Sequence, residues 1–232
     1  MSTHVPVVEQ ITKANDRIAA ANRQALDHAG AFSMNIMASP GAGKTSLIES
    51  TLGQVADTLR IGVVEGDLST SLDAERAAQA GARSVQINAA ACHLDASMVS
   101  QAFDELPLVD LDVVIVENVG NLICPASFDL GTHVNVLIAS VPEGDDKPFK
   151  YPKMYRGVQV LVINKIDLLP YVKFDMQRFT AGVEALNEGV LTFPLSCSTG
   201  AGVDAWVHWI EQQRRRHSVT DARPATESIG PG

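Results

Sequence analysis

The chain is poor in aromatic residues, in basic residues and in cysteine. Aromatics are only 5% of its 232 residues, Lys and Arg number 18 against 27 Asp and Glu, and there are three cysteines. A formal net charge of −9, with both signs interspersed along the chain, argues against an electrostatic grip on nucleic acid or on anionic lipid. No stretch approaches about 18 consecutive apolar residues, so no membrane span is expected. Met1 to Gln10 has neither the basic start nor the apolar run of a signal peptide, and the protein is expected in the cytoplasm. An odd number of cysteines without an export signal argues against a disulfide framework and leaves the thiols for metal or redox chemistry. No internal repeat is visible. The scarcity of aromatics, with a mean hydropathy of +0.07, suits a core of Val, Ile, Leu and Ala, as buried parallel sheets have.

An apolar content of 46% over this length is enough for one sizeable domain. Val8, Ile11, Ala14, Ile18, Ala21 and Ala25 recur at three- and four-residue steps, which predicts an amphipathic helix packed on the domain over residues 1–30, ended by Gly30. Seven short apolar runs read as strands: Ser33 to Ala38, Arg60 to Glu65, Ser84 to Ala89, Asp112 to Glu117, Asn135 to Val141, Gln159 to Asn164 and Leu191 to Ser196. Lys44 to Ala56, Leu72 to Gln79, His93 to Phe103, Phe174 to Leu186 and Val203 to Arg215 read as helices between them. This alternation predicts an α/β domain over 31–215, a mostly parallel sheet of about seven strands with helices on both faces. Residues 216–232 are polar and without apolar period, so a flexible tail is expected there, and Arg214 to Arg216 read as a solvated helix end or, alternatively, a docking patch.

The strand ending at Ala38 runs into Ser39-Pro40-Gly41-Ala42-Gly43-Lys44-Thr45 and then Ser46-Leu47-Ile48-Glu49, a phosphate-binding loop between a strand and a helix, the setting of a P-loop NTPase. Gly41, Ala42 and Gly43 are candidates to turn backbone N–H groups toward phosphate, and Ser46 opens the helix whose dipole adds to them. Lys44 is placed to reach the β- and γ-phosphates, and the Thr45 hydroxyl to hold Mg²⁺. Ala38 stands where the usual pattern has its first Gly. A second tetrapeptide, Asn164-Lys165-Ile166-Asp167, follows a strand about 120 residues later and chooses the base. The Asp167 carboxylate can accept from guanine N1–H and the exocyclic amine, whereas adenine would leave it desolvated and unpaired. Lys165 would lie along the base and Asn164 would tie the loops together. Ser196 and Cys197 follow the last strand near the expected guanine O6, with Cys197 read as a pocket-lining or core thiol. Glu65-Gly66-Asp67 and Glu117-Asn118-Val119-Gly120 both end strands, where ligands of such sheets gather. Asp67 and Glu117 are candidate Mg²⁺ contacts, or else carboxylates facing water, and the Gly120 N–H is a candidate γ-phosphate contact. Asn121 comes where many signalling GTPases have a water-orienting Gln, which predicts slow turnover.

Cys92-His93-Leu94-Asp95 is expected to open a helix, whose dipole would favour the thiolate, and Cys124 follows Gly120 by four residues. Thiolates and imidazole suit a borderline metal, although buried small hydrophobes and a satisfied histidine are the alternative reading of Cys92, Cys124 and His93. Neighbours in sequence seldom aim two side chains at one ion, and three ligands leave a four-coordinate site incomplete, so two chains are expected to share the ligands. A P-loop kinase of small molecules, or a GTP-regulated switch without a metal, are the competing functional classes.

The phosphate loop, Glu65-Gly66-Asp67, Cys92-His93-Leu94-Asp95-Ala96, Glu117-Asn118-Val119-Gly120-Asn121-Leu122, Cys124-Pro125-Ala126-Ser127-Phe128-Asp129-Leu130-Gly131 and Asn164-Lys165-Ile166-Asp167, in this order, closely resemble the hydrogenase nickel-incorporation GTPases, the HypB family. The match covers roughly Val8 to Trp209. Urease-accessory GTPases share the nucleotide elements but carry Cys-Pro-His where this chain has Cys92-His93. The resemblance implies GTP hydrolysis, a GTP-dependent homodimer, and a Ni²⁺/Zn²⁺ site of Cys92, His93 and Cys124 at its interface. It further implies nickel delivery to the [NiFe]-hydrogenase large subunit and a small zinc-containing nickel chaperone as partner. The Cys-rich motif and His-rich run of some members have no counterpart before the phosphate loop, where only His4 and His28 occur.

Overall fold

The computed structural model describes residues 7–55, 57–67, 81–88, 92–121 and 123–220. Seven parallel strands, β1 (Phe32–Ala38), β2 (Ile61–Asp67), β3 (Arg83–Asn88), β4 (Val113–Glu117), β5 (Val134–Ser140), β6 (Val160–Asn164) and β7 (Leu191–Pro194), form one sheet in the order β3-β2-β4-β1-β5-β6-β7. They are the seven strands the apolar runs predict, with shifted ends. The described helices are α1 (Val7–Ala29), α2 (Lys44–Val55), α3 (Ala96–Glu105), α4 (Lys147–Lys150), α5 (Pro152–Arg156), α6 (Met176–Glu184) and α7 (Val203–Thr220). The expected helix over Leu72 to Gln79 lies outside the described residues.

Alternate side chains of each strand point to opposite faces, and both faces are covered. On one, Phe32, Met34 and Ile36 of β1 pack with Leu47 and Leu52 of α2 and with Trp206 and Ile210 of α7. The Trp206 indole N–H, buried there, donates to Thr51 Oγ1 at 2.9 Å. On the other face, Leu26 of α1 and Val99 and Phe103 of α3 cover Val114 and Val116, while Tyr155 and Phe179 cover Leu161 and Ile163. Because every strand runs the same way, every loop at the strand C-termini opens at one edge. The chain order reverses across β1, which lies between β4 and β5, and this is where such sheets bind ligands.

Two expectations are corrected at the chain ends. Helix α1 buries Asn15, Ala19, Asn22 and Leu26, whereas Ala14, Ala21 and Ala25 of the predicted face are exposed. The reason is polar. Asn15 Nδ2 donates to Asp129 O at 2.8 Å while its Oδ1 accepts from Ala96 N at 2.9 Å. Asn22 Nδ2 donates to Ala96 O at 2.8 Å and to Leu130 O at 3.0 Å. Two buried amides therefore choose the inward face, and a reading by hydropathy alone selects its neighbour.

At the other end, α7 continues to Thr220, past the expected start of the tail. His217 packs on Phe32, with ring centroids 5.3 Å apart, and burial with the neighbouring His133 holds its imidazole below the ordinary value. Arg214 is likewise no solvated end: its guanidinium reaches Asp112 Oδ1 at 2.6 Å, beside Arg60 on Oδ2 at 3.1 Å. Burial opposes the Asp112 charge, but hydrogen bonds from the Arg60 side chain and backbone and from Arg214 outweigh it and hold the carboxyl well below the usual range. A depressed carboxyl stabilises the fold above its unfolded value, near pH 4, and this contribution is lost as acid protonates the folded form. Both guanidinium groups retain access to water, so Asp112→Asn is expected to cost only about 1–2 kcal/mol at neutral pH. Urea unfolding of the two proteins should show this gap at pH 7 and a smaller one below pH 4.

Candidate functional site

At the C-terminal ends of β1, β2, β4 and β6 lies a cavity of about 440 Å³, a volume suited to a small molecule, lined by Gly41, Gly43, Lys44, Thr45, Ser46, Glu65, Glu117, Gly120, Lys165 and Cys197 among others. The floor is the loop between β1 and α2. Gly41 and Gly43 take φ of +74° and +105°, a region that side chains disfavour, and a Cβ on Gly43 would strike the Asn164 amide. Ala42 is fully buried beneath the loop.

The basic and acidic groups of the cavity meet at its centre. Thr45 Oγ1 donates to Glu117 Oε1 at 3.1 Å, and Lys44 Nζ lies 3.9 Å from the same oxygen. Glu117 ends β4 and Glu65 lies in register with it on β2, both nearly inaccessible to water. This hard-oxygen set, Thr45 with the two carboxylates, has the chemistry that Mg²⁺ prefers. Glu65 is a residue that the sequence reading passed over in favour of Asp67. Asp67 closes β2, but its side chain lies outside what the structure describes. The missed signal is register: two carboxylates paired in register on adjacent parallel strands point to the same face, here into the same cavity. Gly120 approaches the phosphate loop so closely that an added Cβ would sit 3.4 Å from Lys44 Nζ and 3.5 Å from Pro40 Cα.

The loop after β6 closes the other end. Asn164 Nδ2 donates to Ala42 O at 3.0 Å, and Asn164 Oδ1 accepts from Lys165 N at 2.7 Å and from Cys197 N at 3.3 Å. One amide thus joins three loops. Lys165, the only described residue besides glycine with positive φ, at 63°, lays its ammonium on Gly41 O at 2.6 Å. Ser196 Oγ donates to Asp167 Oδ1 at 2.6 Å and fixes the carboxylate's orientation. Cys197 lines the cavity and packs partly on the core, and burial pushes its thiol up.

Next to this cavity, one chain alone brings Cys92, His93 and Cys124 together, with one donor atom from each mutually within 4.8 Å. Cys92 Sγ donates to Cys124 Sγ at 3.0 Å and lies 3.8 Å from His93 Nδ1, while the His93 ring stacks on Phe128 at 4.1 Å. The expectation that adjacent residues would fail to converge is therefore corrected: the Cys92 thiol and the His93 ring approach the same spot, and Phe128 stacks against the ring from behind. The expected helix start is corrected too. Helix α3 begins at Ala96, capped by Asp95, which accepts from Met98 N at 2.9 Å, so Cys92 lies outside the first turn and gains no dipole. Its contact with Cys124, and then desolvation, push the Cys92 thiol up.

Two asparagines join the sites. Asn118, fully buried after Glu117, accepts on Oδ1 from Leu94 N at 3.1 Å and from Val119 N at 3.0 Å, and donates to Asn35 Oδ1 at 3.2 Å. Asn121 Nδ2 donates to Cys92 O at 3.2 Å while its Oδ1 accepts from Ile123 N at 2.9 Å. The backbone on both sides of His93 is thereby bonded to the segment that carries Glu117 and Gly120. The sequence offered Asn121 only in the place of a water-orienting glutamine, and gave Asn118 no role of its own within Glu117-Asn118-Val119-Gly120.

Similarity to known proteins identifies the family. Residues 33–193 match the nucleotide-binding domain family described as CobW/HypB/UreG. The hydrogenase maturation factor HypB of Rhizobium leguminosarum bv. viciae is 42% identical, over 93% of this chain and 72% of its own length. A crystal structure of HypB from Helicobacter pylori in complex with nickel superposes with a TM-score of 0.83 at 34% identity, covering 93% of this chain and 100% of that one. That of HypB from Archaeoglobus fulgidus gives 0.81 at 35% identity, over 87% and 99%. The chain belongs to the CobW/HypB/UreG family of nucleotide-binding domains and, within it, to the hydrogenase maturation factors HypB.

Proposed function

We propose that this protein hydrolyses GTP to GDP and phosphate and hands nickel on during [NiFe]-hydrogenase maturation, with the nucleotide state controlling the Cys92, His93 and Cys124 site. The observation that carries the reading is the pair of bonds from Asn118 to Leu94 N and from Asn121 to Cys92 O, 3.1 Å and 3.2 Å long. Whatever moves Gly120 pulls on the backbone that presents Cys92 and His93. The nickel named in the H. pylori complex and the maturation role in the relatives' names support the cargo and the client.

In this reading Lys44 and the backbone of residues 41–43 hold the β- and γ-phosphates, and Asp167, oriented by Ser196, accepts from guanine N1–H and the exocyclic amine. Thr45 and Glu117, with Glu65 or Asp67 behind, would hold Mg²⁺, which supplies charge neutralisation at the phosphates. The Gly120 N–H meets the γ-phosphate. Asn121 stands where signalling GTPases carry a water-orienting Gln, and its shorter amide bonds Cys92 O and Ile123 N, which supports slow intrinsic turnover. Two thiols and an imidazole suit Ni²⁺ or Zn²⁺ and leave a fourth position. A second GTP-bound copy fills it by pairing across this patch, where Ile123 is 57% exposed. A small zinc-containing nickel chaperone loads the site, the [NiFe]-hydrogenase large subunit receives the metal, and the cytoplasm is the compartment. Among the described residues no helix is long and apolar enough to cross a membrane.

Three measurements test this. Asp167→Ala should weaken GTP binding by about 100-fold or more, through the lost pair of hydrogen bonds to guanine, while leaving ATP binding unchanged; equal loss for both nucleotides contradicts the base assignment. Cys92→Ala should reduce nickel affinity at least about tenfold in calorimetric titration, and an unchanged isotherm removes the metal role. Asn121→Ala should keep nickel stoichiometry but abolish the difference in nickel affinity, and in sizing, between GDP and a non-hydrolysable GTP analogue. If wild type itself shows no such difference, the switch is refuted while the GTPase reading stands.

A further inference from the structure

At the edge of the sheet opposite the nucleotide cavity, three elements remote in sequence converge on one spot. Asp27 comes from the last turn of α1, His133 immediately precedes β5, and His217 lies in the last turn of α7. One donor atom from each lies within 4.8 Å of the others, and Cys92, His93 and Cys124 are the other such group among the described residues. His133 Nε2 is 2.9 Å from Asp27 Oδ1, and the two imidazole centroids are 4.2 Å apart. Phe32 lies against both rings, at 5.9 Å and 5.3 Å. The His133 side chain is only 8% exposed while that of Asp27 is 54% exposed, so the cluster has an apolar back and opens to water on the carboxylate side.

We infer that Asp27, His133 and His217 form a second metal site, a two-histidine, one-carboxylate set for a divalent ion of the Zn²⁺, Ni²⁺ or Co²⁺ class. Two imidazoles exclude Mg²⁺ and Ca²⁺ as preferred occupants, and the lack of a thiol separates this site chemically from the Cys92 cluster. Metal–ligand bonds of about 2.0–2.2 Å bring tetrahedral donors to about 3.3 Å from one another, so the cluster must tighten. His217 and Asp27 are each on a terminal helical turn and can do so without repacking the sheet. Water completes the coordination.

The hydrogen bonds around His133 state what binding requires. Ser33 N–H donates to Nδ1 at 2.9 Å, so in the metal-free ring the proton sits on Nε2 and is donated to Asp27. An ion on Nε2 needs the other neutral tautomer. Nδ1 then keeps the proton and donates a hydrogen bond to Ser33 Oγ, 2.7 Å away, the outer partner that ligating histidines have, and the bond from Ser33 N–H is given up. No net proton is released by that exchange. The ion replaces a hydrogen bond between α1 and the residue before β5 with bonds to α1, to that residue and to α7 together, and staples the last turn of α7 to the domain.

The test uses full-length protein carrying Cys92→Ser and Cys124→Ser, which removes the thiols of the other site, titrated with Co²⁺ alone. The inference expects one equivalent bound, with a visible ligand-field spectrum, no thiolate charge-transfer band, and a raised thermal midpoint. Adding His217→Ala should remove all three signals, and Asp27→Asn should weaken binding at least about tenfold while keeping the packing of the helix end. GTP hydrolysis should be the same with and without His217→Ala. Should the double-serine protein take up no Co²⁺, or should the added His217→Ala variant bind as much as its parent with unchanged far-ultraviolet circular dichroism, the site does not exist.

Discussion

The arrangement rests on a chain of amides across the middle of the sheet, two of them, Asn118 and Asn35, fully buried. Asn118 donates to Asn35, and Asn35 donates to Asn135 Oδ1 at 3.0 Å, so three neighbouring elements, the end of β4, β1 and β5, are linked by side chains as well as by their ladders. A polar side chain enclosed among Val and Ile is tolerated only when its donors and acceptors find partners, and the cost of leaving one unmatched makes the geometry specific. Asn118 spends its remaining acceptor capacity on Leu94 N and Val119 N. The segment that follows Glu117 is thereby seated both in the sheet and against the thiol-bearing loop.

The same device recurs at the periphery. Asn15 and Asn22 of α1 bond Ala96 and the 129–130 backbone, so the helix grips the chain shortly after His93 and shortly after Cys124. Cys92 and Cys124 come from loops after different strands, and their 3.0 Å separation depends on both loops being held from outside as well as through Asn118 and Asn121. Helix α1 therefore helps to position the cluster of Cys92, His93 and Cys124 without supplying a member of it. Asn164 does the equivalent for the nucleotide cavity, joining the phosphate loop, the Lys165 loop and the Cys197 loop through one side chain.

Energetically the two ends of the sheet differ. The edge with the cavity gathers glycines in left-handed conformations, buried carboxylates and a lysine, groups that stabilise a fold poorly on their own. The stabilising contacts lie in the sheet faces and at the opposite edge, where Trp206 bonds Thr51, Arg214 and Arg60 hold Asp112, and His217 packs on Phe32.

Local chemistry made much of this legible in advance. Short continuous apolar runs give the seven strands and three- and four-residue apolar steps give most helices, because central strands of a parallel sheet covered on both faces are buried throughout. The phosphate loop and the Asn164 to Asp167 tetrapeptide declare themselves because their chemistry needs those residue types at adjacent positions. Polar side chains whose partners are distant in sequence stayed illegible. The inward face of α1, the pairing of Glu65 with Glu117, the role of Asn118 and Asn121, the helix start at Ala96 and the packing of His217 all depend on partners between 24 and 185 residues away or on a cap, as the contacts of Asn118 with Leu94, of Asn22 with Ala96 and of His217 with Phe32 illustrate. Hydropathy and short-range spacing carry no record of such partners; only the folded chain brings a buried amide to the backbone group that satisfies it.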